Sequence, residues 1–246
     1  MQRTKIRVAL AVITMVSSAS VLASGSVSYS DLGDLENGKK IFMNGKGDTV
    51  PACTGCHGNE GLGDDNMGTP RLAGQGYNFL VKQLEDFATD KREDKTMFIM
   101  NTNAKGLTSQ ERRDVSAFAA SMKQPIAGSD MAAVKNLGSV PVGVRYLGKG
   151  LAQHGAPERG IPACHSCHGY NGRGAFPVYP MLGGQKYVYM VNQLKKWRDG
   201  SRANDPMAQM RKVASKMTDE DIYNVATFLT SAENTTVGNS RIPDQY

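Results

Sequence analysis

Apolar and polar positions along the chain alternate with a helical period, and the same arrangement comes round twice. Phe79, Leu80, Leu84 and Phe87, with Gln83 among them, share one face of a helix. Two later helices announce their starts: Thr108 precedes Glu111 by three residues, and Thr218 precedes Asp221 likewise. In such a capping box the hydroxyl accepts from the third helical N–H and the carboxylate reaches back to the cap. No run of alternating β-branched residues predicts a sheet, so the expected fold class is all-α. A different pattern opens the chain. Arg3, Lys5 and Arg7 precede an apolar run from Val8 to Val16, followed by small residues as far as Ala23. Residues 1–23 read as a secretory signal peptide cut after Ala23. The alternative, a retained anchor, is disfavoured because Ser17, Ser18 and Ser20 stop the run short of the ~20 apolar residues that span a bilayer.

Sliding the chain against itself by 110 residues aligns "PRLAGQGYNFLVKQLEDF" from Pro70 with "PMLGGQKYVYMVNQLKKW" from Pro180. The segment from Met97 aligns with that from Met207 at the same offset, and "GKKIF" at Gly38 pairs less closely with "GVRYL" at Gly143, displaced by 105 residues. Each copy has the order short helix, cysteine motif, loop with proline, amphipathic helix, Met segment, final helix. Between copies, "KQPIAGSD" from Lys123 has the Pro, Gly and Ser of a linker. Two helical domains of about one hundred residues are expected, 24–125 and 126–246. The tail "NTTVGNSRIPDQY" matches nothing in the first copy and reads as a disordered terminus.

Composition bears on function chiefly through charge. The 246-residue chain carries +6, of which three cations belong to the leader, leaving +3. No stripe of Lys and Arg interleaved with aromatics marks a nucleic-acid binder. The charge is unevenly divided: 12 basic and 14 acidic residues in 24–125, against 14 basic and 9 acidic in 126–246. A field of that polarity can orient a diffusing protein toward oppositely charged partners.

All four cysteines lie in two copies of one phrase, "PACTGCHG" from Pro51 and "PACHSCHG" from Pro162. C-x-x-C-H is the attachment sequence of c-type haem. On a helical turn residues i and i+3 share a face with i+4 beside them, so two thiols can bond to the haem vinyls while the histidine turns under the iron. Cys53, Cys56 and His57 are expected to hold one haem c, and Cys164, Cys167 and His168 a second. A zinc site, a redox dithiol or disulfides could use the same thiols. The lack of a βαβ setting counts against a redox dithiol, the paired histidines, which a disulfide leaves unexplained, against disulfides, and the recurring Met and Pro strings against a zinc module.

Each iron needs a second axial ligand. His154 and His165 have no counterparts in the first copy, and His165 sits between bonding cysteines. Methionine remains, with matched pairs Met97/Met100 and Met207/Met210. Spacing alone does not separate the members of a pair. His/Met ligation leaves the iron coordinatively full, which suits electron transfer over substrate binding. Pro70 and Pro180 follow their histidines by 13 and 12 residues, and each prolyl carbonyl is expected to accept the Nδ1 hydrogen of its histidine.

With these motifs in place the chain resembles the dihaem cytochrome c4 family over nearly all of its mature length. The resemblance is carried by both C-x-x-C-H sites, "PRLAGQ" with "PMLGGQ", "KQLEDF" with "NQLKKW", and "SRANDPMAQMRKVASKMTDEDI". It implies two tandem class I cytochrome c domains whose haems lie close together. It selects Met100 and Met210 as ligands, each seven residues before the apolar residue that precedes the final helix. "MFIMNTNAKG" is the weaker match of the two Met segments. The resemblance further implies a periplasmic carrier delivering electrons to a respiratory terminal oxidase, with peripheral membrane association as an additional expectation. The rival within the class is an electron-accepting subunit or partner of a sulfur-compound or other periplasmic dehydrogenase. The rival of another class, a dihaem peroxidase, needs an openable iron and more histidines. An enzyme with an axial cysteine would need a fifth cysteine. No catalytic residues are therefore expected.

Overall fold

The computed structural model describes residues 28–94, 99–123, 125, 128–175 and 177–232; the expected signal peptide, Met97 and the tail lie outside these. Among the described residues the architecture is helical, with β-pairing confined to isolated bridges in loops. The first copy comprises α1 (Tyr29–Leu32), α2 (Leu35–Asn44), α3 (Thr54–His57), α4 (Tyr77–Ala88), α5 (Ile99–Gly106) and α6 (Ser109–Ser121). The second comprises α7 (Met131–Leu137), α8 (Arg145–His154), α9 (His165–His168), α10 (Tyr187–Arg198), α11 (Gln209–Ala214) and α12 (Asp219–Thr230). Both predicted capping boxes form: Thr108 with Glu111 opens α6, and Thr218 with Asp221 opens α12. No described helix is long and apolar enough to cross a membrane.

Each copy buries its own apolar cluster. Ile41, Phe42, Leu80 and Val115 anchor the first, and Leu151, Val191, Ile222 and Phe228 the second. In each, the first long helix crosses the last at a glycine. A β-carbon on Gly38 would stand 2.2 Å from the Asp114 carbonyl oxygen, and one on Gly148 would stand 1.8 Å from that of Asn224. Only a residue without a side chain lets the backbones meet this closely. The structural partner of Gly38 is therefore Gly148, and Gly143 answers Gly33, which lies against Arg113 and Asp114 as Gly143 lies against Tyr223 and Asn224. Pairing "GKKIF" with "GVRYL" is thus out of register, and the upstream helices obey the same 110-residue offset as the rest.

The cysteine motifs, at an offset of 111, depart from that register for a local reason. The loop bridged by Lys46 and Val50 is answered by one bridged by Ala156 and Ile161, one residue longer. Past the motif, the loop bridged by Asp64 and Thr69 is answered by Ala175 and Tyr179, one residue shorter. The second change cancels the first, so the cysteine helix is carried in the same place in both copies.

Candidate metal centres

The cysteine helices are single turns. Cys53 and Cys164 stand at their N-terminal ends, and each first-cysteine carbonyl accepts the histidine N–H four residues on, at 2.9 Å in both copies. All four thiols are free of disulfides. Burial, opposed by its own backbone hydrogen bond, pushes Cys53 up to about 11, and Cys164 likewise. These thiols are not activated as thiolates, which argues against a redox dithiol.

His57 and His168 are buried, 6% and 7% exposed, and each imidazole makes one hydrogen bond among the described residues. His57 Nδ1 lies 2.9 Å from the Pro70 carbonyl oxygen, and His168 Nδ1 lies 2.9 Å from that of Pro180. Since a carbonyl only accepts, Nδ1 carries the hydrogen and Nε2 keeps its lone pair. Burial lowers the pKa of both imidazoles, with the proline contact partly opposing it, so the neutral, metal-ligating form is favoured. Tyr179 meets His168 edge-on, ring centroids 5.8 Å apart.

Met100 and Met210 occupy the second positions of the matched helices α5 and α11, and both are half-buried. Met207 is 77% exposed, in a tight turn (Pro206–Ala208) where its φ is 55°. Met97 lies outside the described residues.

The polar contacts between the two halves were not foreseen from the sequence. Gln185 pairs with the backbone of Arg71, and Gln75 with that of Met181. Asp65 Oδ1 accepts the Val188 N–H at 3.0 Å, capping α10 from the other domain beside Ser129, whose Oγ accepts the Tyr187 N–H at 2.8 Å. Arg92 and Arg202, both buried, share Gln83 and Gln193 as acceptors across the boundary. Burial, and next the charge of Arg92, push Arg202 down to about 9. The available signal was the recurrence of Gln75, Gln83 and Arg92 in register as Gln185, Gln193 and Arg202.

The residues fit haem c. Each half offers two free thiols and a buried histidine with an unengaged Nε2 held in one tautomer. Among the described residues no group of three or more His, Cys, Asp and Glu side chains gathers as a metal-ion site.

Comparison with known proteins agrees. The cytochrome c family model matches twice, over residues 35–123 and 148–233. A thiosulfate dehydrogenase electron acceptor from Stutzerimonas stutzeri is 37% identical, the match covering 78% of this chain and 84% of that protein. Cytochrome c4 from Pseudomonas aeruginosa is 33% identical, with coverages of 72% and 82%. Among solved structures, cytochrome c4 from Pseudomonas stutzeri superimposes with a TM-score of 0.66 at 30% identity, covering 82% of this chain and 100% of that one. The thiosulfate dehydrogenase TsdBA from Marichromatium purpuratum gives a TM-score of 0.72 at 31% identity over 83% of this chain, which spans 41% of that structure. Two matched halves, and a cytochrome c4 covered from end to end, identify this chain as a member of the cytochrome c family, a dihaem electron carrier of the cytochrome c4 kind that binds two haem c.

Proposed function

We propose that this protein is an exported, periplasmic electron carrier whose two irons are ligated by His57 with Met100 and by His168 with Met210. Haem c supplies a one-electron ferric/ferrous couple, and full His/Met coordination keeps that couple from binding substrate. Cys53, Cys56, Cys164 and Cys167 fix the macrocycles to the chain. Pro70 and Pro180 hold each imidazole in the tautomer that presents Nε2, and a ligand held in one orientation reorganises little when the electron arrives. Buried Arg92 and Arg202, which hydrogen-bond to no carboxylate among the described residues, suit a cofactor that brings two carboxylates of its own.

The observation that carries this reading is the repeated 2.9 Å contact between a buried histidine and a prolyl carbonyl beside two free thiols. Division of the chain at 125/126 belongs to the same reading. Arg71 of the first domain holds the Pro125 carbonyl at 2.7 Å, whereas Ser129 donates its N–H to Thr230 of the second at 2.8 Å.

The 37% identity to a thiosulfate dehydrogenase electron acceptor favours a specific donor, a periplasmic sulfur-compound dehydrogenase, with a terminal oxidase as acceptor. In this role the chain carries electrons and is not itself the dehydrogenase. Mixing the oxidised protein with a thiosulfate dehydrogenase and thiosulfate tests the donor: rapid reduction of both haems is expected. Reduction no faster than by thiosulfate alone contradicts it.

A further inference from the structure

The carbonyl that orients each histidine belongs to a peptide plane whose other end is gripped by the opposite domain. Pro70 C=O and Arg71 N–H form one rigid plane. Its oxygen accepts from His57 Nδ1 at 2.9 Å, and its N–H donates to Gln185 Oε1 at 2.7 Å. Gln185 Nε2 returns a bond to the Arg71 carbonyl at 3.0 Å. The arrangement is mirrored. The Pro180–Met181 plane accepts from His168 at 2.9 Å and donates to Gln75 Oε1 at 2.8 Å, and Gln75 Nε2 donates to the Met181 carbonyl at 3.0 Å. Both glutamines are buried, 3% and 6% exposed, so these bonds are shielded from competing water.

We infer that Gln185 is a positioning residue for His57, and Gln75 for His168, so that each axial histidine is tuned by the domain that does not carry it. Two effects act through the shared plane. The amide contact fixes the plane's rotation, and so the direction of the carbonyl lone pairs. Accepting the N–H also polarises the peptide and makes its carbonyl a stronger acceptor, as in any hydrogen-bonded chain. A stronger acceptor makes the imidazole a better electron donor, which favours ferric iron. Removing the clamp therefore raises the reduction potential of the haem across the interface.

The inference rests on His57 and His168 being haem ligands, and the test is chosen to separate the two. Each glutamine oxygen also accepts the N–H of the residue after it, Gly76 at 3.0 Å and Lys186 at 2.8 Å, so own-domain effects must be resolved from cross-domain ones. Gln185→Met, which keeps the volume, is made in the holo-protein, and haem-resolved redox titration is followed by NMR. The potential of the His57 haem should rise and that of the His168 haem should hold, with Gln75→Met giving the converse. In the ferrous protein the His57 Nδ1–H should exchange faster in Gln185→Met, and slow exchange should return in Gln185→Glu, which retains the acceptor. In the unsubstituted protein, Arg71 N–H and His57 Nδ1–H should exchange in one shared opening. A shift confined to the substituted domain, an equal shift at both haems, no shift, or independent exchange of the two hydrogens overturns the inference. A starting protein without two low-spin, histidine-ligated haems overturns the ligand assignment instead, and the inference falls with it.

Discussion

Gly148 meets Asn224 so closely that no β-carbon fits between them: it would stand 1.8 Å from the Asn224 carbonyl oxygen. Since the obstacle is backbone, α8 and α12 must separate to admit a methyl group. Gly148→Ala is predicted to destabilise the second domain by about 1–3 kcal/mol. Denaturant unfolding of the holo-protein measures it, and a loss below the error of extrapolation contradicts the account of the crossing.

That crossing also marks where the sequence stopped being legible. The cysteine phrase and the capping boxes have their chemistry within a few residues, and the His–Pro spacing spans only 13 and 12 residues inside one repeated string, so each can be read directly. Gly38 and Gly148 meet partners far along the chain, Asp114 and Asn224, and nothing beside them advertises the contact. Matching them by neighbouring letters slid the alignment by five residues. Gln75 and Gln185 were visible as a repeated letter, yet their function exists only once two domains face each other. The exposure of Met207 depends on a turn with positive φ that helical spacing does not foresee.

Acid should weaken the second domain through Asp221. Its pKa is lowered, chiefly by the Arg159 hydrogen bond and also by the bonds its carboxylate accepts from the Thr218 N–H and hydroxyl. A carboxylate with a depressed folded pKa stabilises above its unfolded value of about 3.9, and that contribution is lost as pH falls through the folded value. Asp221→Asn should cost about 1 kcal/mol at neutral pH. The difference from wild type should vanish well below pH ~3.9, as followed by urea unfolding across pH. A constant difference down to acid contradicts it.

Asp65 caps α10 from the other domain. Asp65→Ala should destabilise by about 0.5–2 kcal/mol, the usual cost of losing a cap. The loss should appear in the second domain although the substitution is in the first. Hydrogen exchange at the Val188 amide is the direct readout, and unchanged protection there contradicts the contact.

Charge polarity should show in kinetics. The second half carries five more basic than acidic residues and the first half two fewer. Reduction of the second-domain haem by a small anionic reagent should slow as salt rises, and reduction of the first-domain haem should hold or quicken as the repulsion is screened. Stopped-flow traces resolved by haem decide it, and equal salt dependence removes the case for directed docking.

Axial ligation is the centre of the account, and the absorption spectrum of the oxidised protein, with iron counted per chain, tests it most directly. Two low-spin irons are predicted, each with a methionine-to-iron charge-transfer band. Met100→Ala should abolish the band of one and Met210→Ala that of the other, each lowering the potential of its own haem, while Met207→Ala leaves both unchanged. Loss of a band on Met207→Ala with retention on Met210→Ala, or a high-spin iron in the unsubstituted protein, would contradict the assignment.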